Sequence, residues 1–439
     1  MPYSQESPRQ RHKHNHRSIA TTNTLETIPP RQPDPCGRTI KTNHTDMTVM
    51  AHTKYLTLLG DGMADIPLPE LGGKTPLEHA NIPNMDYIAK HGRCGLARTV
   101  PDGMPAGSEI ANMSILGYPP ERYYTGRGPL EAASMGVSLA EDEIAFRCNL
   151  ITVKDGTIAD YSAGHISSEE ASELISSIND SLSSDRIRFY AGISYRHLMV
   201  TDGIGASAIC TPPHDVIGEL MESSMPRGMD SGMLSDLIRR SADVLGEHPI
   251  NEERIRGGKN PATHIWLWGQ GKAPDLPSFE EIFGIKGSMI SAVDLLKGLA
   301  IYAEMDVIDV PGATGYLDTN YAEKADYAVR ALEDHDFVYV HVEAPDEAGH
   351  AGDIDAKVAA IENFDEKVVG RILDDCSDCV IMVLPDHPTP ISLRTHTADP
   401  VPFAIYGHGA DSVPAFDERS AAEGSYGLRV GTDLIRLMI

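Results

Sequence analysis

Six widely spaced cysteines in 439 residues are too few to staple a chain of this size. A disulfide scaffold is therefore excluded, and a reducing, cytoplasmic setting is expected. No apolar run approaches the ~18–20 residues that a membrane-spanning helix needs. The first 20 residues are polar and carry no apolar signal core, so secretion is not expected. Basic residues are also scarce, with 37 Lys and Arg against 64 Asp and Glu, a net charge of −27. That deficit argues against a general binder of nucleic acid or anionic membrane, which needs excess positive charge. What remains is an ordinary globular composition, 41% hydrophobic and 23% charged. The length is about three times the ~150 residues of an average domain, which predicts two domains or one with a large insertion.

The charge is uneven. Residues 1–50 hold seven Lys or Arg and four acids, a net of +3, which leaves −30 on the remainder. The same 50 residues contain six prolines and few large apolar side chains. Such a segment buries too little surface to offset its ordering entropy and is expected to be a disordered tail. Its run His12-Lys13-His14-Asn15-His16-Arg17 reads as a solvated stretch or a weak metal or anion contact.

Regular patterning starts at Tyr55-Leu56-Thr57-Leu58-Leu59, an apolar run of strand length halted by Gly60-Asp61-Gly62. Helices are expected from Asn84 to His91 and from Ser108 through Leu116. Buried strands are expected at Phe337–Val342, Val380–Leu384 and Phe403–Tyr406. Apolar residues at helical spacing fill Asp355 to Asp375, giving strand, helix, strand: a parallel α/β layer. The middle, roughly 120–285, mixes short β patterns at 145–153, 188–190 and 197–200 with a strong helix from Glu169 to Leu182. Met221, Met225, Met229 and Met233 lie in a Gly- and Pro-broken stretch that reads as a flexible loop or as core filler. Trp266 and Trp268 alternate with apolar neighbours, as a strand core or as a wall of a cleft. Cys376-Ser377-Asp378-Cys379, with no second pair, reads as incidental thiols.

Four segments at strand ends or connections are rich in hard metal ligands. They centre on Asp61, on His341 through His350 with Asp346, on Asp386-His387, and on His396. In open α/β sheets the ligand crevice lies beyond the carboxyl ends of the strands, where three of the four fall. Carboxylates mixed with imidazoles suit Mn²⁺, Zn²⁺, Co²⁺ or Fe²⁺ better than Ca²⁺. Two ions ~3.5–4 Å apart are the usual clamp for phosphoryl displacement. Ser108 follows Pro105-Ala106-Gly107 at a helix start, where free N–H groups favour a phosphate. It reads either as a nucleophile or as a simple helix cap.

The stretches LLGDGMAD (58–65), AGSEIANMSILGY (106–118), YTGRGPLEA (124–132), TPPHD (211–215), IWLWGQG (265–271), PGATGYLDTNY (311–321), VHVEAPDEAGHAGD (340–353), LPDHPTP (384–390) and THTADPVPF (395–403) carry a resemblance. From about Lys54 onward the chain resembles the archaeal-type, cofactor-independent phosphoglycerate mutases, which work without 2,3-bisphosphoglycerate and belong to the alkaline phosphatase superfamily. The resemblance implies that Asp61, Ser108, Asp386 and His387 hold one divalent ion, and Asp346, His350 and His396 another. Mn²⁺ leads, with Co²⁺, Zn²⁺ or Mg²⁺ as alternatives. Ser108 would be the phosphorylated residue in an isomerase of glycolysis and gluconeogenesis, acting on a small molecule.

The implied fold is an alkaline-phosphatase-like α/β core, residues 51–120 and 285–439, with a smaller substrate-orienting α/β domain, residues 121–284, inserted. Within the insert and near its return, Arg147, His165, Arg196, His197, Lys286 and Lys324 are candidates to grip phosphate and carboxylate. Rival readings are a phosphatase or another mutase on the same core, and a non-catalytic relative. The oligomeric state is left open.

Overall fold

The computed structural model describes residues 53–439, Ser377 excepted; the tail expected over 1–50 lies outside the described residues. In chain order the strands are β1 (Tyr55–Gly60), β2 (Arg93–Arg98), β3 (Ile144–Lys154), β4 (Thr157–Asp160), β5 (Ile187–Tyr190), β6 (Arg196–Thr201), β7 (Ala208–Ile209), β8 (Arg227–Gly228), β9 (His264–Gly271), β10 (Gly287–Ile290), β11 (Asp306–Val307), β12 (Phe337–Val342), β13 (Val380–Leu384), β14 (Val401–Tyr406) and β15 (Gly427–Val430).

Eight strands form one sheet in the order β11-β10-β12-β1-β13-β14-β2-β15. β1 lies between β12 and β13 and is parallel to both. β14 alone runs antiparallel to its neighbours. The central strands are near-continuous apolar runs because both faces are covered. Leu56, Leu58, Val338, Val340, Ile381 and Val383 enter one core. Leu59, Phe337, Tyr339, Met382 and Leu384 enter the other, the alternation that a pleated strand imposes. The expected strands over 337–342 and 380–384 are found at those limits, and the expected 403–406 strand starts earlier, at Val401.

The helix expected from Asn84 starts one residue earlier, at Pro83, where a missing N–H costs nothing. Its N-terminus is capped from far along the chain: Asp365 accepts from the Met85 N–H at 2.7 Å and the Asn84 N–H at 3.2 Å. Asp365 itself opens a π-helical turn, Asp365–Gly370, which splits the expected 355–375 helix into Ile354–Phe364 and Arg371–Asp375.

Residues 144–271 build a second, antiparallel sheet, β4-β3-β6-β5, with β9 also paired to β3. Phe146, Cys148 and Leu150 face a separate core shared with the helices Ser168–Leu182 and Ser231–Gly246. Met221 and Met225 fill that core, whereas Met229 is 71% exposed. Trp266 and Trp268 are buried on β9. The architecture is mixed α/β throughout, and among the described residues no helix is long and apolar enough to cross a membrane.

Candidate active site

The carboxyl ends of β1, β12 and β13 lie side by side, so the residues that follow them meet at one edge of the large sheet. β1 delivers Asp61, β12 leads into the helix Ala344–Ala351 with Asp346 and His350, and β13 delivers Asp386 and His387. His396 arrives from the connection between β13 and β14. Two groups of ligand atoms gather there: Asp61, Asp386 and His387, and Asp346, His387 and His396. His350 joins the second, its Nε2 lying 3.2 Å from Asp346 Oδ2 and 2.8 Å from His396 Nε2. Gly62, at φ +61°, sits in the left-handed region beside Asp346; a Cβ there would stand 2.6 Å from Asp346 Oδ1.

Ser108 is the first residue of the helix Ser108–Ile115, and Gly107 occupies the cap position without a side-chain bond. The serine is therefore not a cap. Its Oγ–H donates to Asp61 Oδ2 at 3.4 Å, and the same oxygen lies 3.1 Å from His387 Nε2. All seven residues expected as ligands or nucleophile are thus brought together.

Supporting groups outside the expected ligand set hold this cluster in place. His341, within β12, bonds Asp61 Oδ2 through Nε2 at 3.0 Å. Asn112 donates to Asp386 Oδ2 at 2.8 Å and accepts from the Tyr339 hydroxyl at 2.6 Å. The Thr389 hydroxyl donates to Asp346 Oδ1. Asn112 carried a readable signal, standing four residues after Ser108 and hence on the same helix face. His341 opens one of the ligand-rich segments, yet its place inside an apolar strand leaves its supporting role unmarked.

The electrostatics call for a cation. Burial first, then the charges of Asp386 and Asp346, push the Asp61 carboxyl well above the usual range. Asp61 Oδ1 is buried with no hydrogen-bond partner among the described residues. Burial pushes the His341 imidazole down to about 3 and lowers His387. Burial opposes both charges of the Asp346–His350 pair, yet their contact holds the Asp346 carboxyl well below its ordinary value and raises His350 to about 9. Converging carboxylates with an orphaned oxygen, beside the imidazole nitrogens of His387, His396 and His350, are a donor set that fits divalent transition-type ions.

The six residues expected to grip substrate divide. Arg147 on β3 and Arg196 on β6 share one sheet face, since Arg147 pairs Leu198 and Asn149 pairs Arg196. Arg147 lies over the Trp268 ring at 4.5 Å, and Arg127 over the same ring at 5.6 Å. His197 points elsewhere: it pairs Cys148, is buried, and its Nδ1 accepts from the Gly192 N–H. His165 is exposed beside Tyr195, and the Lys286 ammonium pairs with Asp306 at 2.9 Å, at the amino end of β10 and so away from the ligand edge. Lys324 is fully buried beneath the site, donating to the His341 carbonyl at 2.8 Å. Arg127, which the sequence reading passed over, donates to Glu109 Oε1 at 2.7 Å, directly beside Ser108.

Comparison with known proteins agrees with this geometry. A family profile described as 2,3-bisphosphoglycerate-independent phosphoglycerate mutase matches residues 89–251. A protein of that name from Methanosarcina barkeri is 57% identical over 394 residues, which cover 88% of this chain and 99% of the relative. A Geobacter sulfurreducens protein, named a probable member, is 49% identical over 88% of this chain and 99% of its own. Among solved structures, the PH0037 protein of Pyrococcus horikoshii is 34% identical with a TM-score of 0.76, over 88% of this chain and 96% of that one. The cofactor-independent phosphoglycerate mutase of Thermoplasma acidophilum is 29% identical with a TM-score of 0.60, over 88% and 98%. Identity above one half, sustained across nearly the whole described body, places the chain in the family of 2,3-bisphosphoglycerate-independent phosphoglycerate mutases.

Proposed function

We propose that the chain interconverts 3-phosphoglycerate and 2-phosphoglycerate through a phosphorylated Ser108, as a cytoplasmic enzyme of glycolysis and gluconeogenesis. The observation that carries this reading is the Ser108 hydroxyl, held at a helix start within 3.1–3.4 Å of His387 Nε2 and Asp61 Oδ2. Asp61, Ser108, Asp386 and His387 would hold one divalent ion and Asp346, His350 and His396 a second, with Mn²⁺ the first choice. When bound, such ions neutralise the carboxylates and stabilise the charge that develops on the oxygens of a transferring phosphoryl group.

The protein's own groups do the rest. Ser108 Oγ attacks phosphorus and gives up the proton that it donates to Asp61 Oδ2, while the bond from phosphorus to the glycerate oxygen breaks and that oxygen takes up a proton. The first-turn amides of the helix Ser108–Ile115 add partial positive charge at the phosphoryl group. Retained glycerate then turns, and its other hydroxyl takes the phosphoryl group back from Ser108. We assign the retention to the segment 121–284, which contains the second sheet with Arg147 and Arg196, joined by Arg127. It serves as a substrate-orienting domain set into a metal-holding core made of 51–120 and 285–439.

The test is Ser108→Ala, assayed for 2-phosphoglycerate and for free phosphate side by side. A fall of about 10³-fold or more in mutase turnover is expected, with metal binding largely retained. Near-wild-type formation of 2-phosphoglycerate by the variant would overturn the serine mechanism. Free phosphate as the sole product of the wild type would make the protein a phosphatase.

A further inference from the structure

Glu131, on the helix Arg127–Ser134, has no part in the reaction as written above. It is buried, and its Oε2 lies 3.2 Å from Arg147 Nε. The charges of Arg196 and Arg127 also bear on the same carboxylate. Three guanidinium groups so placed repel one another, and Glu131 is the buried counter-charge they share. It faces Arg147 through Nε alone, as an ion pair without hydrogen-bond geometry. No ion pair of Arg147 other than this one is formed among the described residues, so its two terminal amino groups are left for another anion. Arg196 is held loosely, 4.0 Å from Asp294, and its side chain is 39% exposed.

The backbone beneath Glu131 cannot give way. At Gly128 a Cβ would overlap the Ala145 carbonyl of β3, and at Gly298, in the helix Asp294–Tyr302, a Cβ would overlap the Leu130 carbonyl. The helix is therefore pressed by direct backbone contact against the second sheet on one side and against a helix beside the large sheet on the other. One of its ends carries Arg127 to Glu109, next to Ser108.

We infer that Glu131 is a positioning residue that aims the Arg147 and Arg196 forks at the carboxylate of glycerate, and so keeps glycerate bound while Ser108 carries the phosphoryl group. This rests on the mutase reading above. It predicts a defect in retention rather than in phosphoryl transfer itself.

The experiment compares Glu131→Gln, Arg147→Lys and the double variant in the full-length, metal-supplied enzyme. KM for 3-phosphoglycerate, kcat, the ratio of free phosphate to 2-phosphoglycerate, and the melting temperature are measured. Glu131→Gln is expected to raise KM about tenfold, the effect of removing the carboxylate charge that orients Arg147, and to raise the phosphate ratio. Arg147→Lys should do the same, and the double variant should be little worse than either single one, because both changes remove one arrangement. Glu131→Asp, which keeps the charge, should restore much of the ratio and carries the test if the amide variant does not fold. A purely structural role would lower kcat and melting temperature while leaving the ratio unchanged, and that result overturns the inference. Fully additive KM effects also overturn it. Failure of the mutase reading would show separately, as a wild type that makes no 2-phosphoglycerate.

Discussion

Asp61 shows how much of this site hangs on one buried carboxylate. One of its oxygens has His341 and Ser108 as partners, and the other has no hydrogen-bond partner among the described residues. His341 lies on β12 opposite Leu59 of β1, so strand register alone fixes its reach to the residue that follows β1. Replacing it, His341→Leu, removes an outer bond to an expected ligand while preserving side-chain bulk. The expected outcome is a loss of about 10–100-fold in Mn²⁺ affinity, read by calorimetric titration. Unchanged affinity would mean that Asp61 does not depend on His341.

The ligand types were legible because each falls at a strand end or turn, where an acid or histidine has no packing reason to be. His341 stands in one of the ligand-rich segments, but inside a buried strand nothing local separates a supporting role from a core position. Arg127 lies outside every ligand-rich segment, in the stretch YTGRGPLEA, and nothing local records that its flanking glycines permit close backbone contact with a distant strand.

Among the elements, apolar runs buried on both faces were the easiest to read, and β12 and β13 match their expected limits. The helix over 355–375 was read as continuous because its apolar spacing persists through the π turn. The interruption comes from Asp365, which caps a helix some 280 residues earlier in the chain, and local periodicity cannot record such a demand. The helix Arg127–Ser134 was not read at all. Its packing depends on Gly298 in a distant segment, so a test belongs at that contact. Gly298→Ala inserts a methyl group into the Leu130 carbonyl, and overpacking of this kind costs about 1–3 kcal/mol. Chemical denaturation should show that loss, and KM for phosphoglycerate should rise because the helix carries Arg127 and Glu131. A fully stable variant with normal KM would show that the two helices separate freely.

For the whole molecule, acidity shapes stability as well as chemistry. Glu418 accepts hydrogen bonds from the Asp65 N–H at 3.1 Å and the Thr75 hydroxyl at 2.7 Å. Burial, outweighing those bonds, raises its carboxyl from 4.5 to about 7. A carboxyl raised on folding favours the proton-bound native state, so its contribution is fully present below pH 4.5 and is lost as pH climbs through 7. The loss is of order 3–4 kcal/mol at about 1.4 kcal/mol per pH unit. Glu418→Gln keeps an acceptor for Asp65 and removes the titration. Its urea midpoints at pH 5 and pH 8 should differ less than those of the wild type, and an equal difference would clear Glu418 of any part in the pH response.

The central place of β1 has a consequence for synthesis. This leucine-rich strand leaves the ribosome well before its two neighbours, β12 and β13, which begin at Phe337 and Val380. At 5–20 residues per second, about 15–60 s pass between completion of β1 and arrival of its first partner. Throughout that interval a strand destined for full burial has nothing to pair with. The second sheet, encoded wholly within 144–271, can close first. The nascent chain thus carries a finished middle between two unfinished ends, and its need for chaperone protection is concentrated at Leu56, Leu58 and Leu59.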